Sequence, residues 1–237
     1  MADMISCLPD EVLCNILSLL STKEVVATSV LSKRWEPVWR SVPTLDLEEH
    51  SYRKLNYFHL DQPLKRFRQC VRSSRCNPAD VKAWLADAAK RGVEHLDLSL
   101  FSGVTWIIGL PSPLLKCKTL VVLQMTGLNV KIRSSVRLPS LRVLHLNSVK
   151  FLEPMHFAEL LCGCPNLEVL NAENVGCIYD EHGDEFHDEI EDDMEGIQAE
   201  FKTLPKLVRA HIHEPDAVVP LEVVNNVEFM SIDWIRC

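Results

Sequence analysis

Apolar positions along this chain follow two spacing rules, one after the other. Near the start, Val12, Leu13, Ile16, Leu17 and Leu20 recur at helical intervals, forming a stripe wider than the seam a helix needs for one neighbour. One part of such a stripe can face its own fold and another a second protein. Pro9 suits the first position of that helix, and Asp10 and Glu11 put negative charge at its positive end. Ser21 and Glu24 have the spacing of a capping box, which predicts a second helix with Val25, Val26, Val30 and Leu31 on its buried side. A third helical segment carries Trp35, Val38, Trp39 and Val42, with Lys33, Arg34 and Arg40 around them. Pro37 falls inside it, so that helix must either start late or bend.

The second rule takes over further along. Six blocks of the form LxxLxL begin at Val93, Leu120, Leu141, Leu167, Leu207 and Val227, spaced 27, 21, 26, 40 and 20 residues apart. Apart from one outlier, those intervals lie at or near the 20 to 29 residues of leucine-rich repeats. The fourth and sixth positions of each block point inward from a strand, and the first closes the turn before it. One such unit cannot bury its apolar side, so neighbours must stack into a curved solenoid with a parallel sheet on the concave face. Between the two regions, VPTLDL from Val42 reads as a short strand and Glu48 to Asn56 as a joint or short helix. Leu64 to Arg72 is expected to be an early edge strand whose Lys65, Arg66, Arg68 and Arg72 discourage pairing; the other reading is a partner-facing basic edge. Asn77, Pro78 and Asp80 open a helix that carries Val81, Trp84, Leu85 and Ala88 and stops at Gly92. Pro154, Met155, Ala158 and Leu161 suggest a short outer helix.

The N-terminal set Leu8, Pro9, Glu11, Val12, Ile16, Leu17, Leu20, Leu31, Lys33, Arg34 and Trp35 resembles an F-box. In that family the motif attaches a substrate receptor to a Skp-type adaptor, and so to a cullin and RING ubiquitin ligase. The resemblance implies that Leu8, Pro9, Val12, Ile16, Leu17, Leu20, Leu31 and Trp35 meet the adaptor. The segments RGVEHLDLS, LPSLRVLHLNSVKF and CPNLEVLNAENVGC are similar to plant-type F-box proteins with leucine-rich repeats, in which the repeats select the target. The expected fold is therefore α/β, with a three-helix F-box over 1–47, linking strand and helix units over 48–92, and a short irregular repeat solenoid over 93–237. On its concave face His95, Asp97, Gln124, Arg142, His145, Asn171, Arg209 and His211 are the candidate target contacts. Hormone-sensing F-box receptors offer a second reading, a small-molecule pocket in the solenoid. Related proteins run further, often into a small C-terminal domain, so a truncated product with impaired target binding is a third.

Composition narrows the chemistry. A net charge of −8 argues against general nucleic-acid binding, which needs a basic surface. Eleven carboxylates fall in the stretch 178–200, read as a solvated acidic insertion. His182 and His187 raise the thought of a divalent-metal site there, but the spacing matches no EF-hand or HExxH pattern. Nine cysteines form an odd set without CxxC pairs and read as reduced thiols. No nucleophile elbow, phosphate loop or dinucleotide fingerprint occurs, so no catalytic residue and no cofactor is expected. No apolar run approaches a membrane span and no leader pattern precedes Leu8, from which an intracellular protein of the nucleus or cytoplasm is expected.

Overall fold

The computed structural model describes residues 5–48, 63–71, 77–100, 106–178, 204–213 and 227–233. The polar joint after Glu48, the acidic stretch beyond Ile178 and the last four residues lie outside them. The helical region comprises α1 (Asp10–Leu17), α2 (Thr22–Ala27), a 3-10 turn (Thr28–Val30), α3 (Trp35–Val38) and a second 3-10 turn (Trp39–Ser41). At the start of α2 the Ser21 hydroxyl accepts from the Glu24 amide at 3.4 Å while the Glu24 carboxylate accepts from the Ser21 amide at 2.9 Å. Pro37 is accommodated by a late start: it is the third residue of α3, inside the first turn, where its missing N–H costs no intrahelical bond.

Among the described residues, eight parallel strands of one sheet follow. In sheet order they are β1 (Thr44–Glu48), β2 (Arg66–Val71), β3 (His95–Leu100), β5 (Val122–Thr126), β7 (Val143–Asn147), β9 (Val169–Glu173), β11 (Arg209–His213) and β12 (Phe229–Asp233). Two inward rows run across this sheet. One is Leu45, Phe67, Leu96, Leu123, Leu144, Leu170 and Ala210, with the exposed Met230 in register at its end; the other holds Leu98, Met125, Leu146 and Ala172, with Gln69 buried in it. β2 is not the edge strand its basic residues suggest, because β1 pairs with its outer side. Val42, Leu45 and Leu47, and then Leu64, Phe67 and Gln69, occupy the same block positions as the later repeats.

A second parallel sheet, which the apolar spacing does not predict, forms another wall from β4 (Ile107–Gly109), β6 (Asn129–Lys131), β8 (Lys150–Phe151) and β10 (Gly176–Cys177). The chain passes from one sheet to the other through a left-handed residue at the same place in three repeats: Gly127 at φ 68°, Ser148 at φ 52° and Asn174 at φ 49°. The hydrogen-bond ladder continues around this corner, with the Gly127 amide donating to the Asn147 carbonyl at 2.9 Å and the Ser148 amide to that of Glu173 at 2.8 Å. A Cβ on Gly127 would stand 2.2 Å from the Leu100 carbonyl oxygen, so this corner needs glycine. The remaining helices are α4 (Pro78–Lys90), α5 (Ser112–Leu115) and α6 (Pro154–Cys162). They bury Val81, Leu85, Leu114, Leu115, Phe157 and Leu161 in one core that also takes the strand leucines.

A separate core of Leu13, Leu17, Val25, Trp35, Val38 and Val42 holds the N-terminal helices together. The two units meet at β1, where the Asp46 amide donates to the buried Thr22 hydroxyl of α2 at 2.7 Å. α2 thereby satisfies a donor on the outer edge of β1 and shields that edge from further strand pairing.

Candidate functional site

Burial divides the N-terminal stripe into two faces. Leu13 and Leu17 turn into the helical core, whereas Val12, Ile16 and Leu20 of the same stripe face outward, together with Leu19, Val30 and Leu31. Leu31 is 65% exposed and Val30 85%, so neither lies on the buried side of α2 where their spacing put them. Two of the residues expected at the adaptor, Leu17 at 2% exposed and Trp35 at 5%, are buried in the unit's own core. Of the others, Leu8 is half-buried and packs on that core, and Pro9 is exposed. Arg34 fastens the start of α1 to the segment before α3: its guanidinium donates to the Leu8 carbonyl and to Asp10 Oδ1, the latter at 2.8 Å. Trp39 is partly buried, with the Arg40 guanidinium 5.4 Å from its ring centre.

The concave face of the large sheet forms the second surface. Because strand side chains alternate, the residues between the inward rows fall into outward rows in strict register. The central one is Asp46, Arg68, Asp97, Gln124, His145, Asn171, His211 and Ser231. Five of the candidate target contacts therefore line up in a single row. His95 and Arg209 stand in the adjacent row, paired there with Arg66 and Val169. Arg142, just before β7, pairs with Glu168 at 2.9 Å.

Charge is distributed unevenly along this face. Arg68 lies 3.7 Å from Asp46 and 3.4 Å from Asp97, exposed pairs that contribute about 0–1 kcal/mol each. They order the first three strands rather than stabilise them. A shallow cleft of about 250 Å³ opens among Arg66, Arg68, His95, Asp97 and Gln124. Toward the middle the face becomes neutral. Asn171 Nδ2 donates to His145 Nδ1 at 2.8 Å, which leaves the proton of the neutral ring on Nε2. Burial holds that imidazole below its usual pKa, in keeping with its accepting role. Beyond it the rings of His211 and His213 stack 6.4 Å apart. By sequence Arg66 and Arg68 read as an edge device; their place in the concave cleft depends on the pairing of β2 with β3.

Among the described residues no group of three or more His, Cys, Asp or Glu side chains could hold a metal ion. Nor is any helix among them long and apolar enough to cross a membrane. The seven described cysteines are unbridged, and burial raises the thiol of Cys164 far above the usual range, which makes it a poor nucleophile.

Comparison with known proteins adds two family matches. Residues 5–46 match the F-box domain, and residues 81–179 match the leucine-rich repeats of the FBD-associated F-box protein At5g56370 family. Among curated relatives, F-box/LRR-repeat protein 13 of Arabidopsis thaliana is 31% identical over 99% of this chain and 51% of its own length. F-box/FBD/LRR-repeat protein At1g78750 of the same plant is 34% identical, over 99% of this chain and 52% of its own. F-box/FBD/LRR-repeat protein At4g00160, also from Arabidopsis thaliana, is 37% identical over 71% of this chain and 40% of its own. The chain thus spans about half the length of the curated relatives it matches.

Proposed function

The chain belongs among the plant F-box proteins with leucine-rich repeats, and on that premise we propose that it is a non-catalytic receptor subunit of a ubiquitin ligase. Its N-terminal helices hold a Skp-type adaptor and through it a cullin. The concave sheet holds a target protein, and ubiquitin transfer gains from the proximity that results. The observation that carries the docking half is the outward apolar set Val12, Ile16, Leu19, Leu20, Val30 and Leu31. These side chains crown a helical unit whose own core is already complete without them, and an apolar surface of that kind marks an interaction site. The target half rests on the in-register polar row, which presents both charge signs and neutral donors and acceptors to one extended surface.

Co-purification of the full chain with a plant Skp-type adaptor tests the docking half. Ile16→Glu with Leu31→Glu changes two exposed positions, so the fold should persist while capture is lost. Equal capture by this variant and the parent chain, or no capture by the parent, would remove the reading.

A further inference from the structure

Away from the concave row, on the rim where the chain enters its strands, lies a second and roomier cleft. It measures about 490 Å³ and is lined by Lys116, Lys118, Arg137, Val136, Leu138 and Pro165, among others. We propose that this rim cleft binds a peptide segment that carries both carboxylate and apolar side chains. The inference rests on the receptor reading above and names the chemistry of a partner for its repeat half.

Three observations carry it. First, the lining contains three cations and no acid, in a chain with 33 acidic and 25 basic residues. None of the three cations has an ion pair among the described residues. The neighbouring cleft on the same rim shows the contrast, because there Arg142 is already neutralised by Glu168. Second, Val136, Leu138 and Pro165 give the cleft an apolar floor, so it suits a ligand with apolar as well as charged groups. The volume falls within the ~300–1,000 Å³ of ordinary ligand clefts. Third, the backbone here is already committed: the Arg137 amide donates to the Leu115 carbonyl at 2.7 Å, and that of Leu138 to Gly163 at 2.8 Å. Those two backbone donors are taken, and the three cationic side chains supply the donors that face the cleft. Gly163 keeps the floor open to Val136, since a Cβ there would stand 2.4 Å from Val136 Cγ1. A partner that meets these conditions presents acids to Lys116, Lys118 and Arg137 and apolar groups to the floor between them.

A nine-residue fluorescein-labelled peptide of alternating glutamate and leucine, titrated into the full chain by fluorescence anisotropy, tests this. The parent chain should bind it, more weakly as salt rises, and should not bind the lysine–leucine counterpart. K116E/K118E/R137E should raise the Kd at least ten-fold at unchanged melting temperature, because all three positions are exposed. Lys118→Glu alone should give a smaller rise. Equal binding by parent and triple variant overturns the proposal, and so does equal binding of a glutamate–serine peptide, which would mean plain attraction of anions. Adaptor capture is read separately. Peptide binding without capture leaves the cleft standing and removes the docking reading, whereas the reverse outcome removes the cleft alone.

Discussion

At the scale of single residues, the corner between the two sheets is the most demanding position. Gly127 combines a left-handed φ with a neighbouring carbonyl where a Cβ would stand. Gly127→Ala should therefore cost about 2 kcal/mol or more, read as a lower urea midpoint at unchanged slope. Ser148 and Asn174 hold the equivalent positions with side chains that hydrogen-bond each other at 3.3 Å, so at those corners the cost is partly offset. The second residue-scale prediction concerns His156, which is buried in α6. Burial depresses its pKa, with Glu153 opposing and Lys131 reinforcing the shift. The unfolded chain then takes up a proton that the folded chain resists. The contribution to stability is whole above the unfolded value of about 6.5 and is lost as pH falls through the depressed folded value. Melting temperature should fall between pH 7.5 and 5.5, and His156→Phe should flatten that fall; an unchanged slope would place the dependence elsewhere. None of this is legible from sequence, because a histidine at a helical apolar position looks the same whether its ring is buried or exposed.

At the scale of elements, the leucine blocks announce most of the large sheet because three inward positions per repeat make a strong periodic signal. The two earliest strands escape that count for physical reasons. β2 places Gln69 where a leucine belongs, and in β1 the first block position, Val42, packs with the helical core instead of the solenoid. The second sheet is invisible because its strands are two or three residues long, too short for alternation to register. On α1 the spacing reveals a stripe wide enough for two faces but cannot separate them. Trp35 reads as an anchor through its size and aromatic character, features that suit a core as well as an interface. Two element-scale outcomes follow from the observed packing. Asn77→Ala removes the acceptor for the Ala79 amide at 2.9 Å and should cost about 1 kcal/mol, seen as a lower melting temperature. Phe157→Ala empties a site whose ring lies 5.4 Å from that of Phe151 and should cost about 3–5 kcal/mol by denaturant titration.

For the molecule as a whole, each repeat leans on its neighbours, so protection should peak in the middle. Amide exchange is expected to be slowest in β5, β7 and β9 and faster in β12, where Phe229 and Met230 are exposed. Uniform protection along the sheet would contradict that. At the opposite end the situation differs, because α2 closes the β1 edge through Thr22. The joint between the helices and the repeats is thereby a bracket instead of a swivel. On the proposed reading, an adaptor on the helices and a target on the concave row would be held at a set angle and separation. A flexible glycine-serine spacer after Val42, which leaves the helical core whole, should then keep adaptor capture and slow ubiquitin transfer to the bound target, read as a rate.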